Sequence, residues 1–350
     1  DGTARCVLDR AVVEHLERHL ALHHLLLQDL TQRGEAILRQ RRQLDAVVGQ
    51  RDRRIGVLEV ESLGDLAGGL DDAVAELEPC AAAGVGGIVD AMPAASGRDP
   101  VRLAEISRRS GVHVIACTGL HTSKYYEGQR WTSEEPAEVL AGFFIADVLE
   151  GIDRYDYMGP IVRRSPHRAG ILKVAVLDDA PTERDIRIFE AASWAHDATG
   201  VPILTHCEGG RGAMAQIELL HGLGVPLDRV VISHTDKVND LSYHRDLLAT
   251  GVYLEYDQAS RQGDGSVDHT ARIVGAMVDE GHAERLMLSS DAARRSMWGV
   301  HGGLGMVWLA TRFVEILGDL GVAAAAIDTM LKTNPARFLA FEAPDPTAGG

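Results

Sequence analysis

Four polar residues each end or interrupt a short run of apolar and β-branched residues. Lys173 lies inside Ile171-Leu172-Lys173-Val174, His206 follows Val201-Pro202-Ile203-Leu204-Thr205, and His234 follows Val230-Val231-Ile232-Ser233. Asp291 closes Leu286-Met287-Leu288-Ser289-Ser290. Imidazoles and carboxylates suit zinc and similar divalent ions. Such an ion brings the pKa of bound water toward about 7 and polarises a substrate oxygen. An unmodified lysine is a poor ligand, because its ammonium carries protons, and it is costly to bury in an apolar strand unless paired or modified. A single Asp at a strand end often only caps the next helix. Four such residues at four strand-like runs argue for a shared site.

Shared placement requires an architecture that gathers strand ends. Helix-like segments separate the runs, so the strands are expected to be parallel. Further strands are read at Gly87–Asp90, Val112–Cys117 and Val252–Tyr256, and helices at Val101–Ser110, Glu134–Gly151, Thr182–Thr199, Ala213–Gly222, Leu241–Ala249 and Ala271–Glu280. That makes seven strands, and an eighth must come early to close a barrel. The fold class is therefore α/β, a single-domain (β/α)8 TIM barrel, in which the C-terminal strand ends converge on one mouth. Residues 1–60 form an atypical N-terminal segment with a candidate first strand at Leu25-Leu26-Leu27, and residues 61–350 form the barrel. His15, His19 and His23 have i, i+4, i+8 spacing, as on one face of a helix.

Composition excludes several classes of function. Lys+Arg total 35 against 51 Asp+Glu, a formal charge of −16, which argues against nucleic acid as the main partner. No run of about 18 apolar residues is long enough to span a bilayer, so no membrane partner is expected. Residues Asp1 to Arg10 do not read as a signal peptide. Four cysteines, Cys6, Cys80, Cys117 and Cys207, have no paired short spacing, which fits a reducing, cytoplasmic setting and argues against a thiolate zinc site. Cys207 neighbours His206 but should face the other way. Lys237, Arg261, Arg294 and Arg295 follow ligand-bearing or neighbouring strands, so they should rim the mouth and suit a phosphate or carboxylate. Tyr125 and Tyr126 could wall the pocket, and His121 could contact substrate.

These motifs come in the order of a known family. Gly87-Ile88-Val89-Asp90, Gly97-Arg98-Asp99-Pro100, Arg168-Ala169-Gly170-Ile171-Leu172-Lys173-Val174, Gly200 to His206, Ile232-Ser233-His234, Leu288-Ser289-Ser290-Asp291 and Thr333 to Phe338 make the chain resemble the phosphotriesterase family of the amidohydrolase superfamily. The resemblance implies a (β/α)8 barrel with two divalent metal ions, zinc being the expected ion. It implies that Lys173 is carboxylated by CO2 and bridges them, and that His206 and His234 hold the more exposed ion. Asp291 would ligate the buried ion and take the proton from a metal-bridging hydroxide. The family also has a His-x-His pair on its first strand. Here the best alignment lays Leu22 to Leu27 over it, with Leu22 at the first histidine, His24 at the second and His23 facing away. Thr205 to Gly210, His234 to Lys237 and Asp291 to Ser296 look most like relatives that hydrolyse sugar lactones, some of them phosphorylated. The implied activity is metal-dependent opening of a small-molecule lactone. The alternatives are a phosphotriesterase or acyl-homoserine lactonase, and a non-catalytic small-molecule-binding barrel with a degraded metal site. The family is often dimeric, so a homodimer is expected.

Overall fold

The computed structural model describes residues 54–55, 69–261 and 267–342. Eight strands hydrogen-bond in sequence order, and every pairing is parallel. They are β1 (Arg54–Ile55), β2 (Val85–Asp90), β3 (His113–Gly119), β4 (Ile171–Val176), β5 (Ile203–Cys207), β6 (Val230–Ile232), β7 (Tyr253–Tyr256) and β8 (Leu286–Leu288). Helical crossovers link them: α1 (Leu70–Ala82), α2 (Pro100–Ser110), α3 (Ala137–Leu149), α4 (Glu183–Thr199), α5 (Ala213–Gly222), α6 (Leu241–Ala249) and α7 (Val267–Asp279). The strand next to β2 is Arg54–Ile55. The Leu25–Leu27 candidate, the His15–His23 face and His24 lie outside the described residues.

Local signals explain the helix ends. Asp99 accepts from the amides of Val101 and Arg102 at the start of α2, beside Pro100, and Gly111 closes that helix at φ 73°. Thr182 and Asp185 form a capping box on α4.

The interior shows that the sheet closes on itself. Val89, Ile115, Ile171, Leu204, Val231, Tyr253 and Met287 come from seven successive strands, yet they form one buried cluster with Phe338. In a flat sheet the outer members would lie roughly 29 Å apart, at about 4.8 Å per strand. The sequence therefore folds into a (β/α)8 barrel with an apolar plug. Two residues further along their strands, on the same inward face, come Cys117, Lys173, His206 and Glu255, all buried. The plug thus forms the floor of a polar layer. Cys207 faces the other way and packs in the outer shell between strands and helices.

A second polar network ties the long β3–β4 connection to the barrel. Arg98 bonds Asp147 and Asp156, each at 3.0 Å, and donates to the Cys117 carbonyl at 2.6 Å. Thr118, Arg164 and Tyr157 complete the coordination of Asp147.

Candidate metal centre

The barrel brings His206, His234 and Asp291 to one mouth, with Lys173 on the inward face of β4. His206 ends the inward face of β5. His234 and Asp291 follow β6 and β8 in left-handed backbone, at φ 63° and 39°. Such conformations cost energy for non-glycine residues and persist where surrounding contacts hold them. At His234 the holder is visible. Asp257, just past β7, accepts from the His234 backbone amide at 2.9 Å and faces its Nδ1 with both oxygens at 2.9 and 2.8 Å.

The hydrogen bonds locate the protons on both imidazoles. A carboxylate only accepts, so His234 carries its proton on Nδ1, against Asp257. His206 Nε2 lies 2.7 Å from Glu208 Oε2, so its proton sits there. The remaining nitrogens, His206 Nδ1 and His234 Nε2, face each other at 2.7 Å. With both outer nitrogens turned to carboxylates, these inner nitrogens are placed to serve a shared cation, and fixing the far nitrogen with a carboxylate is how proteins orient imidazole ligands. The pair therefore fits a divalent ion. Ligand atoms of His234, Asp257 and Asp291 also lie within 4.8 Å of one another, and all three residues are buried.

Electrostatics follow the same arrangement. Burial works to raise the Asp257 carboxyl, but His234 and its hydrogen bonds outweigh that and hold it below the ordinary range. The hydrogen bond from His206 holds Glu208 well below the usual carboxylate range, with Lys124 adding to it. Asp236 is raised to about 7 by burial and then by Asp257, against bonds from the Gln258 amide and the Thr270 hydroxyl. His121 is held neutral by burial and by nearby Lys173 and His206.

The rim cations divide. Lys237 is exposed and donates to the Glu208 carbonyl at 2.7 Å. Arg261 is committed to Asp291: Nη2 lies 2.7 Å from Oδ2, and Nε and Nη2 reach the Asp291 carbonyl at 3.0 and 2.8 Å. Arg294 is exposed. Arg295 turns to α1, where it pairs with Asp72 at 2.7 Å. Tyr125 packs edge-on against His121 with centroids 4.3 Å apart. Tyr126 is buried beneath the loop, where its hydroxyl accepts from the His121 amide. Asp257, Gln258 and Glu208 were not among the expected site residues. Asp257 occupies the C-terminal end of a barrel strand, the position where functional residues concentrate, and Glu208 stands two residues from His206, on the same side of an extended chain.

Residues 57–339 match the model of the phosphotriesterase family. The chain is 33% identical over 266 residues to a phospho-furanose lactonase from Mycoplasmopsis synoviae, covering 73% of this chain and 75% of that protein. A crystal structure of the phosphotriesterase homology protein from Escherichia coli, complexed with phosphate in its active site, superposes with a TM-score of 0.76 at 25% identity, covering 83% of this chain and all (100%) of that one. An amidohydrolase from Mycoplasma synoviae superposes with a TM-score of 0.74 at 30% identity, over 84% of this chain and 88% of the other. The fold and the relatives define a barrel hydrolase. The chain belongs to the phosphotriesterase family.

Proposed function

We propose that the protein is a metal-dependent lactonase whose substrate carries an anionic group, a phosphorylated sugar lactone being the preferred case. The observation that carries this reading is the His206–His234 pair, with its outer nitrogens held by carboxylates and its inner nitrogens facing each other. His206 and His234 would hold one divalent ion. Lys173, once carboxylated, and Asp291 would serve a second; zinc suits this donor set. Bound ions would polarise the lactone carbonyl and acidify water.

The chain's own residues supply the rest. Asp291 accepts the proton of the attacking water and returns it to the leaving alkoxide. Arg261 fixes both the backbone and the carboxylate of Asp291. Lys237, exposed and braced by the Glu208 carbonyl, meets the anionic substituent. Similarity to a protein named as a phospho-furanose lactonase, and to one crystallised with phosphate in its active site, supports the anionic substrate.

The test compares the metal-loaded protein on phosphorylated furanose lactones, the same lactones without phosphate, long-chain acyl-homoserine lactones and aryl phosphotriesters. The expected order places the phosphorylated lactones first in kcat/KM. Lys237→Ala should reduce the rate on those about tenfold or more, the loss of one charge-assisted hydrogen bond, and leave the neutral lactones unchanged. A preference for long-chain lactones or phosphotriesters would overturn the substrate assignment.

A further inference from the structure

Three imidazoles crowd the mouth, and the third differs from the two ligands. His121, two residues past β3, lies against His206 with ring centroids 4.5 Å apart and is buried. Its Nδ1 accepts from the backbone amide of Thr122 at 2.8 Å. A backbone amide can only donate, so Nδ1 must hold a lone pair and the ring proton must sit on Nε2. A protonated ring could not accept this bond. The Thr122 hydroxyl, 3.1 Å from the same nitrogen, is compatible with that state, since it can donate as well.

The ring's position is fixed from several sides. Tyr126 Oη accepts from the His121 amide at 2.7 Å, Arg184 donates to its carbonyl at 3.0 Å, and Tyr125 packs on its face. Arg184 also lies over the Tyr126 ring. The Thr122 amide thus holds this imidazole in its Nε2–H tautomer, while the bonds of its backbone and the Tyr125 ring keep it beside the candidate metal centre. His206 and His234 turn a lone pair inward, while His121 offers a proton.

We infer that His121 is a catalytic hydrogen-bond donor, whose Nε2–H stabilises the oxygen that gains negative charge when the lactone is attacked. The assignment rests on the hydrolase reading above and deepens it. Preorganised donors of this kind act where charge develops, and removing one costs on the order of 100-fold in kcat. A neutral imidazole is suited to the role because it donates from Nε2 without adding a net charge to the site.

Three variants and one spectrum test the inference. Gln places an amide nitrogen where imidazole Nε2 was, whereas Asn places one nearer Nδ1. His121→Ala is expected to lower kcat about 100-fold with KM changed far less. His121→Gln should recover at least a tenth of the wild-type rate, and His121→Asn should not. All three should bind divalent metal in wild-type amount. Long-range proton–nitrogen NMR on the metal-free protein should show His121 protonated on Nε2. Overturning results are a proton on Nδ1, loss of metal in His121→Ala (a ligand, not a donor), equal recovery by Asn and Gln, or full activity of His121→Ala. Wild-type protein inert on every lactone and ester in the panel would instead overturn the hydrolase reading, and so separates the two failures.

Discussion

Asp257 shows how much of the candidate centre depends on a single carboxylate beside His234. It bonds the His234 ring and backbone together, and so sets both the tautomer and the left-handed backbone that aims the ring inward. Asp257→Ala should weaken divalent-metal binding 10- to 100-fold, the usual cost of removing such an orienting partner. Competition against a chromophoric chelator measures this, and unchanged affinity would refute the role. Asp236, behind it, makes a pH prediction. Its carboxyl is pushed up to about 7, from an ordinary 3.8, by burial and then by Asp257. A raised carboxyl pKa means that the folded state keeps a proton the unfolded chain has released. The resulting stability is complete below the unfolded value and is lost as pH rises through the folded one. Relative to Asp236→Asn, the metal-free wild type should lose on the order of a few kcal/mol between about pH 4 and pH 8. Urea unfolding of both proteins across that range reads the difference, and a pH-independent gap would contradict the assignment.

The strands place these residues, and here a small residue matters most. Gly119 ends β3 opposite Lys173 at φ 101°, and a Cβ there would sit 1.9 Å from the Lys173 carbonyl oxygen. Gly119→Ala forces β3 and β4 apart at the lysine, so it should destabilise by more than about 2 kcal/mol and reduce metal content together. A variant of wild-type stability would show that the strands can part freely. The strands β2 to β8, and the four polar residues on or just after them, were legible because His206, His234 and Asp291 end their apolar runs and Lys173 interrupts its own. The reading of β7 stopped at Tyr256, one residue short of Asp257, since nothing apolar flags that position. Arg295 has a partner of another kind. It follows Asp291 closely in sequence, but its partner Asp72 lies 223 residues away on α1, a pairing that no local pattern carries. The Arg261 guanidinium is engaged with Asp291, a partner 30 residues further along the chain.

At the scale of the molecule, two buried systems share the barrel. One is the candidate metal centre, and the other is the Arg98 network, which clasps the β3–β4 connection to the strands below it. Arg98→Met leaves Asp147 and Asp156 buried with less compensation and should cost about 3–5 kcal/mol in denaturant unfolding. A loss below about 1 kcal/mol would mean that Arg164 and the backbone amides suffice. Among the described residues no helix is long and apolar enough to cross a membrane. The formal charge of −16 means that the proposed anionic substrate would have to be drawn in by cations at the mouth such as Lys237. The most direct measurement of the central claim is calorimetric titration of the metal-depleted protein with zinc in bicarbonate buffer. At least one ion per chain should bind with sub-micromolar affinity, about −8 kcal/mol or better, and His234→Ala should abolish that phase. Wild-type protein that takes up no zinc under these conditions would contradict the account at its root.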